Sequence, residues 1–158
     1  MNKVLFGIAG KAGSGKDTVA KIINDKLKNP NLLDTAIIHF ADNLKEILST
    51  IYNIPIEIFY SSRKDETFID VRTGKVLEND ELNNYRELKV NGLYSLQPYI
   101  DSHMKWRISI RRLMQFFGTD VCRRYLGDNV WINCTMNCAV DAIEDNGYCI
   151  IPDVRFEN

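Results

Sequence analysis

The sequence predicts an α/β fold, a parallel sheet flanked by helices and interrupted by an insertion that contains a β-hairpin. Three observations point there. Short apolar runs alternate with segments of helical periodicity, a glycine-rich loop joins the first run to the first helix, and residues 56–105 abandon the alternation.

Val4-Leu5-Phe6-Gly7-Ile8-Ala9 is apolar throughout and runs into glycine, the pattern of a strand buried on both faces. Val19, Ile22, Ile23 and Leu27 recur at helical spacing and predict a helix over about 16–28, ended by Asn29-Pro30-Asn31. Ala36-Ile37-Ile38-His39-Phe40 predicts a second strand. Leu44, Ile47, Leu48 and Ile51 then follow i, i+3, i+4, i+7 and predict a helix that stops before Pro55.

Within 56–105, Phe68–Arg72 and Lys75–Leu77 flank Thr73-Gly74 as a hairpin, and Glu87–Val90 and Leu93-Tyr94 flank Asn91-Gly92 as a second. Helical spacing resumes with Ile110, Leu113, Met114, Phe117 and Val121. A further helix turns Met136, Ala139, Val140 and Ile143 inward and ends at Gly147. Tyr148-Cys149-Ile150-Ile151 predicts a third buried strand, ended by Pro152, which has no N–H for a sheet ladder.

Composition bounds the function. A chain of 158 residues is about one domain, and at that size it buries roughly 68–70% of its unfolded surface, enough for a core without staples. With 45% apolar and 26% charged residues it is neither disordered nor a disulfide miniprotein. A net charge of −1 supplies no overall basic field for nucleic acid. No apolar run reaches the roughly 18 residues of a membrane span, and Gly7, Gly10 and Lys11 break any signal-peptide core. The expectation is a soluble cytoplasmic protein. Cys122, Cys134, Cys138 and Cys149 read as small thiols rather than a metal set, because His39 and His103 lie far from them in sequence.

The strongest chemical signal is Gly10-Lys11-Ala12-Gly13-Ser14-Gly15-Lys16-Asp17-Thr18, between the first strand and the first helix. A phosphate chain needs backbone N–H groups unobstructed by a Cβ and a helix N-terminus behind them. Lys16 can reach the β- and γ-phosphates. The bare G-x4-G-K skeleton would arise by chance about 0.03 times in a chain of this composition, so the loop is read as a nucleotide site. Asp17 stands where Ser or Thr commonly binds Mg²⁺, and Thr18 follows. Either could hold the metal.

Other residues sit where a ligand would meet such a sheet. Asp42 and Lys45 follow the second strand, Arg111 and Gln115 share a helix face, and Arg123-Arg124 is a cationic pair. Trp131 suits either the core or a stacking platform. Asp153 ends the third strand and Arg155 lies two residues on.

Five stretches together make the chain resemble the phage-type deoxynucleoside monophosphate kinases, a branch of the P-loop kinases. They are Gly10–Thr18, Phe40-Ala41-Asp42-Asn43-Leu44-Lys45-Glu46, Arg111–Asp120, Asn129-Val130-Trp131-Ile132 and Pro152–Asn158. The resemblance implies a P-loop kinase-like sheet and transfer of the γ-phosphoryl of ATP, with Mg²⁺, to a deoxynucleoside monophosphate. It implies Lys16, Lys11, Asp153 and Arg155 as the catalytic charges, and Gly10, Gly13, Ser14, Gly15, Lys16, Asp17 and Thr18 around ATP. Asp17, Thr18 and Asp153 would hold the metal. Asp42, Lys45, Arg111, Gln115, Arg123, Trp131 and Arg155 would hold the acceptor, with the 56–105 insertion as part of that region.

Kinases of this class continue past the third strand into further strands and a lid bearing arginines. The expectation is therefore one partial kinase domain over 1–158, completed by a homodimer or a C-terminal fragment and weakly active alone. Kinases acting on dephospho-coenzyme A or phosphomevalonate share the loop and stay open as readings, as does a non-catalytic nucleotide-binding subunit.

Overall fold

The computed structural model describes residues 3–27, 36–89 and 95–154. Among them the chain runs through β1 (Val4–Ala9), α1 (Lys16–Leu27), α2 (Asp42–Tyr52), α3 (Ile56–Tyr60) and β2 (Phe68–Asp70). A 3₁₀ turn (Leu82–Asn84), β3 (Arg86–Glu87), α4 (Gln97–Ile100), β4 (Trp106–Ser109) and α5 (Ile110–Gln115) follow. A π-helical stretch (Phe116–Arg123), α6 (Arg124–Leu126), α7 (Val130–Asn146) and β5 (Tyr148–Val154) complete the order. This is the mixed α/β class that the sequence predicts. No helix among the described residues is long and apolar enough to cross a membrane.

The chain divides into two compact units, Met1–Asn43 with Trp131–Asn158, and Leu44–Val130. The second is wider than the 56–105 insertion read from sequence.

In the first unit β1 pairs in parallel with β5, and Ile37 bridges the other edge of β5, also in parallel. The predicted second strand is thus a single bridge, held by Ile38 N–H to Ile150 O at 2.9 Å and Ile150 N–H to Ala36 O at 2.7 Å. Alternating side chains of β5 feed two cores, as the period of two requires. Tyr148 and Ile150 pack with Ala20, Ala36, Phe6 and Ile23 on the α1 face, whereas Cys149 and Ile151 pack with Ala139, Ala142 and Ile143 on the α7 face. Asn24 is buried at the first core, where it accepts from Ala36 N–H at 3.3 Å and meets the Tyr148 hydroxyl at 3.2 Å.

Two sequence expectations are corrected here. Pro152 does not end the strand. It lies fully buried inside β5, where three steps from Ile151 to Val154 face only two steps from Gly7 to Ala9. The extra residue is a β-bulge, one of the few places where a strand accepts proline. On α7, Ala139 and Ile143 face the sheet as expected, but Met136 and Val140 are exposed, as are Val19 and Ile22 on α1. Helical spacing defines a stripe, and here only its edge nearer the sheet is covered.

In the second unit β4 is central, antiparallel to β2 and parallel to β3. The first predicted hairpin forms, with Asp70 N–H bonded to Lys75 O and Leu77 N–H to Phe68 O, each at 2.9 Å. The second predicted turn, Asn91-Gly92, lies outside the described residues. The predicted helix from Ile110 to Val121 widens into π-helix at Phe116. Buried Leu113, Gly118 and Cys122 are spaced by five and four, which a 3.6-residue period would not keep on one face. In α2, Leu44 and Leu48 are buried whereas Ile47 and Ile51 are exposed.

Candidate active site

The first unit carries the glycine-rich loop. Gly13 and Gly15 have φ of +74° and +81°, a region that glycine enters without strain, and an added Cβ at either would meet open space. The requirement is therefore on backbone shape, which turns the loop into the first turn of α1. Ser14 N–H bonds to Lys11 O at 3.2 Å, and the helical ladder begins with Val19 N–H to Gly15 O at 3.0 Å. The N–H groups of the turn before Val19 are the ones a helix leaves for a cap or an anion.

Lys16 folds back over this loop. Its Nζ donates to Gly10 O at 2.8 Å and to Lys11 O at 2.7 Å, so the ammonium is fixed by backbone rather than by a carboxylate. An ammonium held this way keeps its charge for a ligand phosphate. Lys11, Gly13, Ser14, Gly15, Asp17 and Thr18 are exposed around it.

A second group gathers at the C-terminal ends of the parallel segments. His39 follows the Ile37 bridge, and its backbone N–H donates to Asp42 Oδ2 at 2.7 Å. Its ring faces two carboxylates, Nδ1 to Asp42 Oδ2 at 3.3 Å and Nε2 to Asp17 Oδ1 at 3.4 Å. The hydrogen bond to Asp42 holds the His39 pKa above its ordinary value. Burial opposes it, and the charges of Asp42 and Asp153 with the Asp17 contact add to it. Asp153, aimed from the β5 bulge, accepts from Phe40 N–H at 3.3–3.4 Å.

Among the described residues no group of three or more His, Cys, Asp and Glu side chains is arranged to hold a metal ion. That suits Mg²⁺, which binds through one or two carboxylates plus substrate phosphates rather than in an all-protein cage. Asp17 and Asp153 are carboxylates of that kind, both drawn toward the His39-Phe40 turn.

The second unit carries a cationic cluster. Lys45 on α2 is buried, with Nζ 3.7 Å from the centre of the Tyr60 ring. Arg111 opens α5, whose N-cap Ser109 accepts from Arg112 N–H at 3.3 Å. The backbone of Arg111 bonds to Lys64 O at 3.2 Å, and its Nε meets Asp65 Oδ1 at 2.6 Å. Burial pushes the Lys64 pKa down, and the charges of Lys45 and Arg111 push it further against a weaker pull from Asp65. Three cations near one carboxylate leave an excess of positive charge.

Other predicted positions fall as follows. Gln115 is exposed, and its Oε1 accepts from Arg112 at 2.9 Å. Arg123 is exposed at the end of the π-helical stretch, and Arg124 lies 5.7 Å from the Tyr125 ring. Trp131 is buried at the start of α7. Arg155 lies outside the described residues. The cysteines are free thiols, with burial pushing Cys149 up to about 11.

Sequence reasoning missed His39, Tyr60 and Lys64. His39 had a signal, since it ends the second apolar run where open α/β sheets bind ligands. Lys64 and Tyr60 had none.

Comparison with known proteins adds the family. The chain is 29% identical over 188 aligned positions to the deoxynucleoside-5'-monophosphate kinase of Escherichia phage T5, across 98% of this chain and 69% of that protein. The family profile described as deoxynucleotide monophosphate kinase matches residues 55–158, about two thirds of the sequence, and the chain therefore belongs to that family.

Proposed function

We propose that this kinase-family chain transfers the γ-phosphoryl group of ATP to the phosphate of a deoxynucleoside monophosphate, giving ADP and the deoxynucleoside diphosphate. The single observation that carries the reading is the Lys16 ammonium held over the Gly10–Thr18 loop by backbone carbonyls. The family and the name of the phage relative support the acceptor class.

In this reaction an oxygen of the acceptor phosphate bonds to the γ-phosphorus as the bond to the β–γ bridging oxygen breaks. The acceptor is already an anionic nucleophile, so no general base is needed. The protein's work is positioning and charge stabilisation. Backbone N–H groups of Gly13, Ser14 and Gly15 and the start of α1 cradle the phosphates, Lys16 meets the transferring group, and Lys11 adds a second cation. Asp17, Thr18 and Asp153 would hold Mg²⁺, which when bound neutralises charge on the phosphates. Arg111, Lys45 and Lys64 supply the cationic excess that suits a monophosphate dianion, with Asp42, Gln115, Arg123, Trp131 and Arg155 as further acceptor residues.

The test is coupled ADP release with Mg²⁺-ATP and each deoxynucleoside monophosphate in turn, repeated with the ribonucleotides. Turnover dependent on a deoxynucleoside monophosphate is expected. ATP binding with no transfer to any nucleotide would overturn the reading.

A further inference from the structure

Three carboxylates meet one short turn. Asp42 accepts both the backbone N–H and the ring Nδ1 of His39, Asp153 accepts the N–H of Phe40, and Asp17 lies 3.4 Å from His39 Nε2. Asp17 stands next to Lys16 at the start of α1, and Asp42 opens α2. The His39 ring is thus the one described side chain that touches both. Its side chain is 30% exposed, those of Asp42 and Asp17 19% and 73%, so the Asp42 contact is the better shielded. Left alone, Asp17 has a free choice of rotamers, and ordering such a side chain costs conformational entropy.

We propose that His39 is a positioning residue of the transfer site, its two ring nitrogens fixing Asp17 beside the phosphate loop and Asp42 at the start of α2 as one unit. This rests on the kinase reading above. The role is assigned by geometry: a side chain with one polar end could hold either carboxylate, but only a group with donors on two edges holds both. By orienting Asp17, His39 acts on nucleotide and metal through another residue, and by orienting Asp42 it acts on the acceptor.

Two near-isosteres separate the arms. The Asn amide nitrogen stands close to where Nδ1 lies and can donate to Asp42, whereas the Gln amide nitrogen stands close to Nε2 and can donate to Asp17. His39→Ala removes both. The measurements are Mg²⁺-ATP affinity by calorimetry at several Mg²⁺ concentrations, KM for the acceptor and kcat in the coupled assay, and thermal unfolding of each variant.

His39→Ala is expected to raise the Mg²⁺ needed for half-maximal ATP affinity and to lower kcat, each by about 10–100-fold, the usual scale for losing a residue that orients a ligand group. His39→Gln should restore the Mg²⁺ dependence of ATP binding but not the acceptor KM, and His39→Asn should do the reverse. Wild-type values in all three variants would overturn the proposal. So would equal losses in His39→Asn and His39→Gln accompanied by a lowered unfolding midpoint, since that is what a merely structural histidine gives. The nucleotide arm is read by binding alone, so it still decides the role of His39 if the wild-type chain binds ATP and transfers nothing, an outcome that sinks only the kinase reading.

Discussion

Arg111 Nε lies 2.6 Å from Asp65 Oδ1, while the Arg111 backbone N–H is tied to the neighbouring Lys64 carbonyl at 3.2 Å. Both side chains of the pair are more than half exposed, so the ion pair itself is worth little to stability. Its consequence is orientation. Asp65 takes one edge of the guanidinium and leaves the other nitrogens for a ligand oxygen, the fork geometry that suits phosphate. Arg111→Ala should weaken deoxynucleoside monophosphate binding about tenfold or more, the scale of a hydrogen bond to a charged group, and leave ATP affinity unchanged. Calorimetry with each nucleotide separately checks this. Lost ATP affinity with intact monophosphate affinity would show that the two sites are assigned the wrong way round.

At the loop the expectation is the opposite pattern. Lys16 is half-buried and bonded only to backbone carbonyls in the contacts described above, so its removal leaves the strand and helix in place. Lys16→Ala should keep the unfolding midpoint while lowering kcat by roughly 10²–10³, as for removal of one electrostatic stabiliser of a transition state. ATP binding should weaken too. Unchanged ATP affinity would remove the loop from the mechanism.

Asp70 gives a pH dependence whose sign can be worked out. Burial alone would raise its pKa, but the N–H groups of Thr73 and Arg72, at 3.0 and 2.8 Å, and the Tyr85 hydroxyl bring it below the ordinary carboxylate value. A folded-state pKa below the unfolded one means the carboxylate stabilises the fold above the unfolded pKa of about 3.9, and loses that contribution as pH falls through the folded value. Asp70→Asn should therefore destabilise the protein by about 1–2 kcal/mol at pH 7. The gap to wild type should shrink below about pH 4. Urea unfolding at pH 7 and pH 3 measures both. A gap of equal size at the two values would mean that the Asp70 charge contributes nothing.

How much of this was legible in the sequence follows from what each residue's role depends on. Gly10, Gly13, Gly15 and Lys16 act through local backbone shape, and local spacing encodes that shape. Asp153 was legible as the residue ending a strand, but not as the product of a bulge at Pro152, because the bulge is a mismatch between β5 and β1 and belongs to neither alone. The exposed stripe of Met136 and Val140 has the same spacing as a buried one. Periodicity gives a face and leaves open whether anything covers it. The π-helical stretch at Phe116–Arg123 hides in the same way, since Ile110, Leu113 and Phe117 also satisfy an ordinary helix. His39, between two carboxylates at 3.3 and 3.4 Å, and Lys64, depressed by Lys45 and Arg111, depend on residues brought together only by folding.

Lys64 supplies the last prediction, because its surroundings are unfavourable without an anion. It is half-buried, which alone lowers its pKa, and the charges of Lys45 and Arg111 lower it further. Like charges drawn together in a folded protein raise its free energy, so taking one away should stabilise the free protein while harming any site built to use them. Lys45→Met keeps the aliphatic stem that packs in the core and removes the ammonium above Tyr60. Some of the gain is offset by the lost cation–π contact, about 0.5–2 kcal/mol at sites from exposed to desolvated. The variant should therefore unfold within a few degrees of wild type, while the Lys64 pKa rises toward the ordinary lysine value and monophosphate affinity falls about tenfold, the scale of one charged hydrogen bond. NMR titration of the lysine Nζ groups reads the first effect and calorimetry the second. Adding a deoxynucleoside monophosphate to the wild-type protein should raise the Lys64 pKa in the same direction, because a phosphate dianion favours the charged amine. A Lys64 pKa indifferent to both the substitution and the nucleotide would show that these cations do not share a site.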